Sequence, residues 1–172
     1  MASISIWAVV RWLHLLSIIT WFGGMIFILL VVIPFVRAMP GLAAVNRTLL
    51  LLQIGKRYQP IAWVMITIGA ITGYYNGERR SVAWLHLTET FYGRRLHMKL
   101  EYAGVVLVLM LIHAYWVNRR LARIVEQELA AGDADPTLKL QRRKWERISF
   151  GFLVLNILLT ALVVLLASSL VA

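Results

Sequence analysis

Apolar residues along this chain fall in long blocks, separated by short polar stretches rich in arginine and lysine. A membrane-spanning helix needs about 20 mostly apolar residues, and four blocks meet that length. The first covers residues 12–36, WLHLLSIITWFGGMIFILLVVIPFV. The second covers 58–75, with an apolar lead-in, LLLLQI, at 49–54. The third covers 96–117, and the fourth, 148–171, contains no charged residue. The first block exceeds the ~7–15-residue apolar core of a cleaved signal peptide, and no small-residue cleavage site follows it. It reads as a span. The pattern predicts an all-α protein, a single integral-membrane bundle of four transmembrane helices.

The polar stretches set the orientation. Loop one holds Arg37, Arg47, Lys56 and Arg57. Loop three holds Arg119, Arg120, Arg123, Lys139, Arg142, Arg143, Lys144 and Arg147. Together they carry twice the Lys and Arg of the opposite side, where Arg11, Arg79, Arg80, Arg94, Arg95 and Lys99 lie. Positive loops stay on the cytoplasmic side. Both termini and loop two are therefore expected outside, in a multi-pass protein of the bacterial inner membrane. Within the basic loop 118–147, RRLARIVEQELAAG continues the helical pattern of span three, with Gly132 at a C-terminal cap position. DADP then breaks the chain, and TLKLQRRKWERI returns as a basic amphipathic segment. This loop reads as a solvated, topology-setting stretch attracted to anionic lipid.

Composition narrows the class. Of the 172 residues 60% are hydrophobic and only 15% charged, yet the net charge is +10. The apolar content excludes a disordered chain. The absence of cysteine excludes disulfides, thiolate metal sites and cysteine nucleophiles. The basic charge sits in loops between apolar blocks, so it is no nucleic-acid footprint; the lipid bilayer is the expected partner. Gly69 and Gly73 form a G-x-x-x-G step, and Gly23–Gly24 another small-residue contact. Such residues let helices approach closely in lipid, within the bundle or across a homodimer. Pro34 and Pro40 close span one, and Pro60 is expected in the first turn of span two, where a missing N–H matters least.

Ionisable residues at membrane depth are the functional candidates. They are Arg11, His14, His97, Lys99, Glu101 and His113. His14 and His97 enter different spans from the outer side and lie at matching depth. His113, 16 positions beyond His97, is about 24 Å away along the axis, near the opposite boundary. Two readings of the histidine pair stay open. In one, His14 and His97 are axial ligands of a b-type haem, with Arg11, Arg94, Arg95 and Lys99 at the level of its propionates. In the other, His14, His97 and Glu101 form a mononuclear site for copper or another divalent ion. Glu101 and Lys99 are the proton-handling candidates of either site. Met65 on span two is an alternative axial ligand, and Trp21 lies on the His14 face. The remaining methionines read as core packing.

The runs WLHLLSIITWFGGMIFILLVVIP, PIAWVMITIGAITG and RLHMKL resemble the CopD and HemJ superfamily of small helical membrane proteins. The matching residues are His14, Trp21, Gly23 and Gly24, then His97, Lys99 and Leu100. The resemblance implies a bound b haem, with electron transfer or redox chemistry on quinone or porphyrinogen. In a HemJ-like enzyme that chemistry would be oxidation of protoporphyrinogen. In a CopD-like protein it implies copper transport or resistance instead. An accessory subunit of a larger membrane complex is a third expectation.

Overall fold

The computed structural model describes residues 5–80, 82, 84–132 and 135–168, and among them there is no strand. Helix α1 spans Ile6–Phe27 and passes through a wider π turn, Ile28–Val32, into α2, Ile33–Ala38. Pro34 explains the widening. It lacks an N–H, and its ring crowds the carbonyl four residues earlier, so the preceding turn opens. The helix ends at Ala38 because Met39 turns extended ahead of Pro40. Helix α3 spans Ala44–Arg79 and α4 Phe91–Ile112. A second π turn, His113–Val117, joins α4 to α5, Asn118–Ala131. Helix α6 spans Pro136–Ser168. The predicted fourth span thus lies in α6 as far as Ser168; its last three positions, 169–171, fall outside the described residues.

Among the described residues three continuous helical stretches are long and apolar enough to cross a membrane: Ile6–Ala38, Phe91–Ala131 and Pro136–Ser168. Helix α3 is 36 residues long. Its apolar run is diluted by Gln59, Pro60 and several Thr, Gly and Tyr residues. It packs along α1, while α4 packs along α6. The bundle is therefore two helix pairs, which meet between α1 and α6 and, at the basic end, between α3 and α5.

Two expectations need correction here. Pro60 is not in a first turn. The helix begins at Ala44, because the lead-in at 49–54 is continuous with it, so Pro60 sits in the helix interior. The basic loop 118–147 is more than a solvated stretch, although most of its charged side chains are exposed. It folds back as an antiparallel pair, with Leu121, Ile124 and Val125 of α5 buried against α6. Gly132 caps α5 at φ +64, a conformation that an L side chain resists. Of the DADP break, Asp133 and Ala134 lie outside the described residues. Asp135 accepts hydrogen bonds from the Thr137 amide (2.8 Å) and hydroxyl (2.6 Å), which starts α6 just ahead of Pro136. Those bonds hold its carboxyl below the usual carboxylate range.

A buried ion-pair network locks this end. Arg142 Nε donates to Glu128 on α5 at 2.7 Å, and its Nη1 donates to Glu146 at 2.6 Å. The Thr48 hydroxyl of α3 donates to the same Glu146 carboxylate. The side chains of Arg142 and Glu128 are only 5% and 6% exposed. Removing one partner of such a pair strands a buried charge. Arg142→Leu is expected to lower unfolding free energy in detergent by about 3–5 kcal/mol. Lys144→Gln, on the exposed side of the same helix, is expected to stay within about 0.5 kcal/mol. Equal stability of the two variants by thermal melting would show that the network does not hold the hairpin.

Candidate functional site

Small residues set the geometry of the α1–α3 seam. A Cβ placed on Gly69 would lie 3.0 Å from Ser17 Oγ, and one on Gly73 would lie 3.2 Å from His14 Cε1. On the other side Gly24 lies under the Tyr58 ring, whose hydroxyl donates to the Trp21 carbonyl. The expected use of the Gly69–Gly73 step within the bundle is thus what brings α3 onto α1.

The close approach positions His14. Its Nδ1 is 3.0 Å from the Gly69 carbonyl and 3.1 Å from Thr72 Oγ1. A carbonyl only accepts, so Nδ1 carries the hydrogen in the neutral ring. The Thr72 hydroxyl donates to the Ile68 carbonyl at 2.6 Å and presents its lone pairs to the imidazole. Nε2 of the neutral ring is then a bare lone-pair nitrogen. This is how ligating histidines are commonly oriented, with the second nitrogen tied to a carbonyl. Ser17, 1% exposed, packs beside it.

His97 is placed differently. It pairs with Glu101 at 3.3 Å on a face where the two side chains are 46% and 62% exposed. It borders an outer hollow with Phe91, Arg94 and Met98. Arg95 stacks on Phe91 with 4.3 Å between guanidinium and ring centre. The α4 residue within electrostatic reach of His14 is Lys99, which also feels Arg80. Two positions along a helix are about 200° apart, so turning Lys99 inward turns His97 away. Helix α1 has little contact with α4. Glu101 stays with His97. Among the described residues no three His, Asp or Glu side chains are gathered to hold a metal ion.

At the level of His14 a haem does not fit between α1 and α3. A flat macrocycle needs an opening about 7 Å wide, twice the ~3.5 Å contact distance. The α1–α3 seam is closed to side-chain contact at Gly69 and Gly73. An ion is small enough for such a seam. Met65 precedes Gly69 by one turn and Thr72 by two, which puts it on the face of α3 that meets His14. On α1 the stripe through His14, Ser17 and Trp21 continues to Met25, 5% exposed. Arg11 is exposed at the helix start. The indole nitrogens of Trp21 and Trp63 are buried with no hydrogen-bond partner.

Met25 lies in register with His14 on α1 and is part of the buried core, as expected. Some partners of polar groups are not visible in the sequence pattern. The Arg142–Glu128 pair joins two helices and has no local signal, unlike the i,i+4 spacing of Arg142 and Glu146. His113 is no isolated site: its Nε2 lies 2.8 Å from Ser149 Oγ, which donates to Asn118 at 3.1 Å. Its ring stacks on Phe152.

Long apolar helices around a seam with an oriented imidazole define a helical membrane protein. The chain matches the family model of copper resistance protein D, CopD, over residues 52–166, about two-thirds of its length, and belongs to that family. The matched segment takes in Met65, His97, Lys99 and Glu101, and leaves α1 with Arg11, His14 and Trp21 outside. No curated protein and no solved structure matches the chain.

Gly73→Val fills the place of the His14 ring. It is expected to lower the melting temperature by several degrees, consistent with ~1–3 kcal/mol for overpacking. Gly104→Ala, with nothing within 4 Å of the added carbon, is expected to be neutral or slightly stabilising. A Gly73→Val variant as stable as the parent would show that the seam is not closely packed.

Proposed function

We propose that this chain is a multi-pass copper-handling protein of the inner membrane, with copper as its cargo. His14 supplies nitrogen, and Met65, one turn before Gly69 on α3, supplies thioether sulfur in the α1–α3 seam. The observation that carries the reading is the hydrogen bond from His14 Nδ1 to the Gly69 carbonyl, which leaves Nε2 as the donor atom. Thioether and imidazole ligands together suit monovalent copper. Lys99 disfavours a highly charged cation at the same level, which again fits Cu(I) better than a divalent ion. Membership of the copper resistance protein D family supports the same cargo.

In a competition titration with a Cu(I) chelator, the detergent-solubilised protein is expected to take up Cu(I). His14→Ala and Met65→Leu are each expected to weaken it by about tenfold or more, the loss expected when one ligand or its orienting partner is removed. Unchanged affinity in His14→Ala would overturn the assignment.

The cation beside His14 favours a second reading, an anionic redox cofactor such as haem b serving electron transfer to quinone or porphyrinogen. An absorption spectrum after haem-replete expression separates the two. The copper reading expects no Soret band, and a stoichiometric Soret and reduced α-band would replace it.

We also propose that α3 crosses the membrane alongside α1, so that both termini face outward and Arg37, Arg57 and Arg142 face the cytoplasm. C-terminal reporter fusions are expected to be active with an enzyme that works outside the cytoplasm and silent with one that fluoresces only inside. The reverse pattern would contradict an even number of crossings with outward termini.

A further inference from the structure

At the basic end, α2 and α6 border an open hollow of about 550 Å³ lined by Arg37, Arg143, Glu146, Arg147 and Phe150. Arg143 and Arg147 are one turn apart on α6, as are Glu146 and Phe150, so this stripe of α6 faces the end of α2. Arg37 lies over the Phe150 ring, 5.2 Å from its centre. Three guanidinium groups thus border one hollow whose sole lining carboxylate is Glu146. That carboxylate is already engaged from behind by Arg142 at 2.6 Å and by Thr48. None of Arg37, Arg143 and Arg147 is paired with a carboxylate among the described residues. Like charges gathered around a hollow repel one another, and an anion placed among them relieves that repulsion.

We propose that this cavity is a binding site for the phosphate of an anionic phospholipid headgroup. Guanidinium forks match phosphate oxygens in pairs, which a lysine cluster does not do. The position argues for a lipid. Arg37 closes the apolar run of α1–α2, and Phe150 lies just inside the apolar part of α6, so the cavity is at the level of the headgroups. The exposed Phe150 ring offers an apolar wall to the glycerol and upper acyl chain. Because Glu146 lines the cavity and also belongs to the Arg142 network, a bound phosphate tightens the α2–α6 corner next to the α5–α6 hairpin. The proposal stands apart from the metal reading, since none of these residues touches His14.

The test uses the full chain in detergent and the melting temperature as readout. Short-chain phosphatidylglycerol is expected to raise it saturably, and short-chain phosphatidylcholine is not. In the Arg37→Gln, Arg143→Gln, Arg147→Gln variant the apparent affinity for phosphatidylglycerol is expected to fall on the order of a hundredfold, for three charges. Arg119→Gln, Arg120→Gln, Arg123→Gln carries the same change of net charge on α5 and is expected to bind as the parent does. Inorganic phosphate at the same concentration is expected not to compete. Full competition by phosphate, with the pocket variant still defective, would overturn the lipid source and assign the site to a soluble phosphate. Should the triple variant fail to fold, Arg143→Gln alone is expected to weaken binding about fivefold. Equal weakening by the α5 control, or no weakening by the pocket variants, would overturn the site.

Discussion

A polar side chain inside a bilayer has no water to turn to, so its partners must come from the protein. For His14 the partner is the Gly69 carbonyl, itself a link in the backbone of α3. An imidazole reaches a helical carbonyl of a neighbouring helix only if the two helices nearly touch. Gly69 and Gly73 allow that approach because neither has a side chain to hold α1 away. The same contact fixes which ring nitrogen carries the hydrogen, and so which one is left to bind something. Helix packing, imidazole orientation and chemical capacity are here one constraint.

The other end of the molecule solves a similar problem with charge. Arg142, Glu128, Glu146 and Thr48 form a buried set in which α3, α5 and α6 each supply a member. Such a set contributes little compared with an apolar core of the same shape, yet it is strongly destabilising to break. It therefore specifies how the α5–α6 hairpin meets α3. With Glu146 engaged inward, the arginines around it remain available to an outside anion. The two ends of the bundle thus differ in chemistry: an imidazole seam at one, a guanidinium cavity at the other.

Much of this was legible in the sequence because membrane helices leave long signals. The apolar blocks at 12–36 and 96–117, and the fourth block as far as Ser168, lie within helices, and the arginines, Gly132 and the G-x-x-x-G step anticipate the hairpin and the seam. What was not legible depends on contacts between distant segments. Pro60 looked like a start signal because the apolar run begins beside it, but the helix extends back to Ala44. His14 and His97 share a depth, yet depth says nothing of direction about the helix axis. His97 and Lys99, two residues apart, point to opposite sides of α4. The pairing of Arg142 with Glu128 lies 14 residues away across a turn, so no helical spacing announces it. Met65 stood out as a candidate ligand, but its place on the face of α3 that meets α1 shows only once the two helices are packed.

The central claim is that His14 is a metal ligand flanked by sulfur from the same seam. X-ray absorption at the copper edge of the Cu(I)-loaded protein examines it most directly. The account predicts a mixed shell of nitrogen and sulfur scatterers, with the nitrogen lost in His14→Ala and sulfur lost in Met65→Leu. A shell of oxygen alone, or one that neither substitution alters, would contradict it.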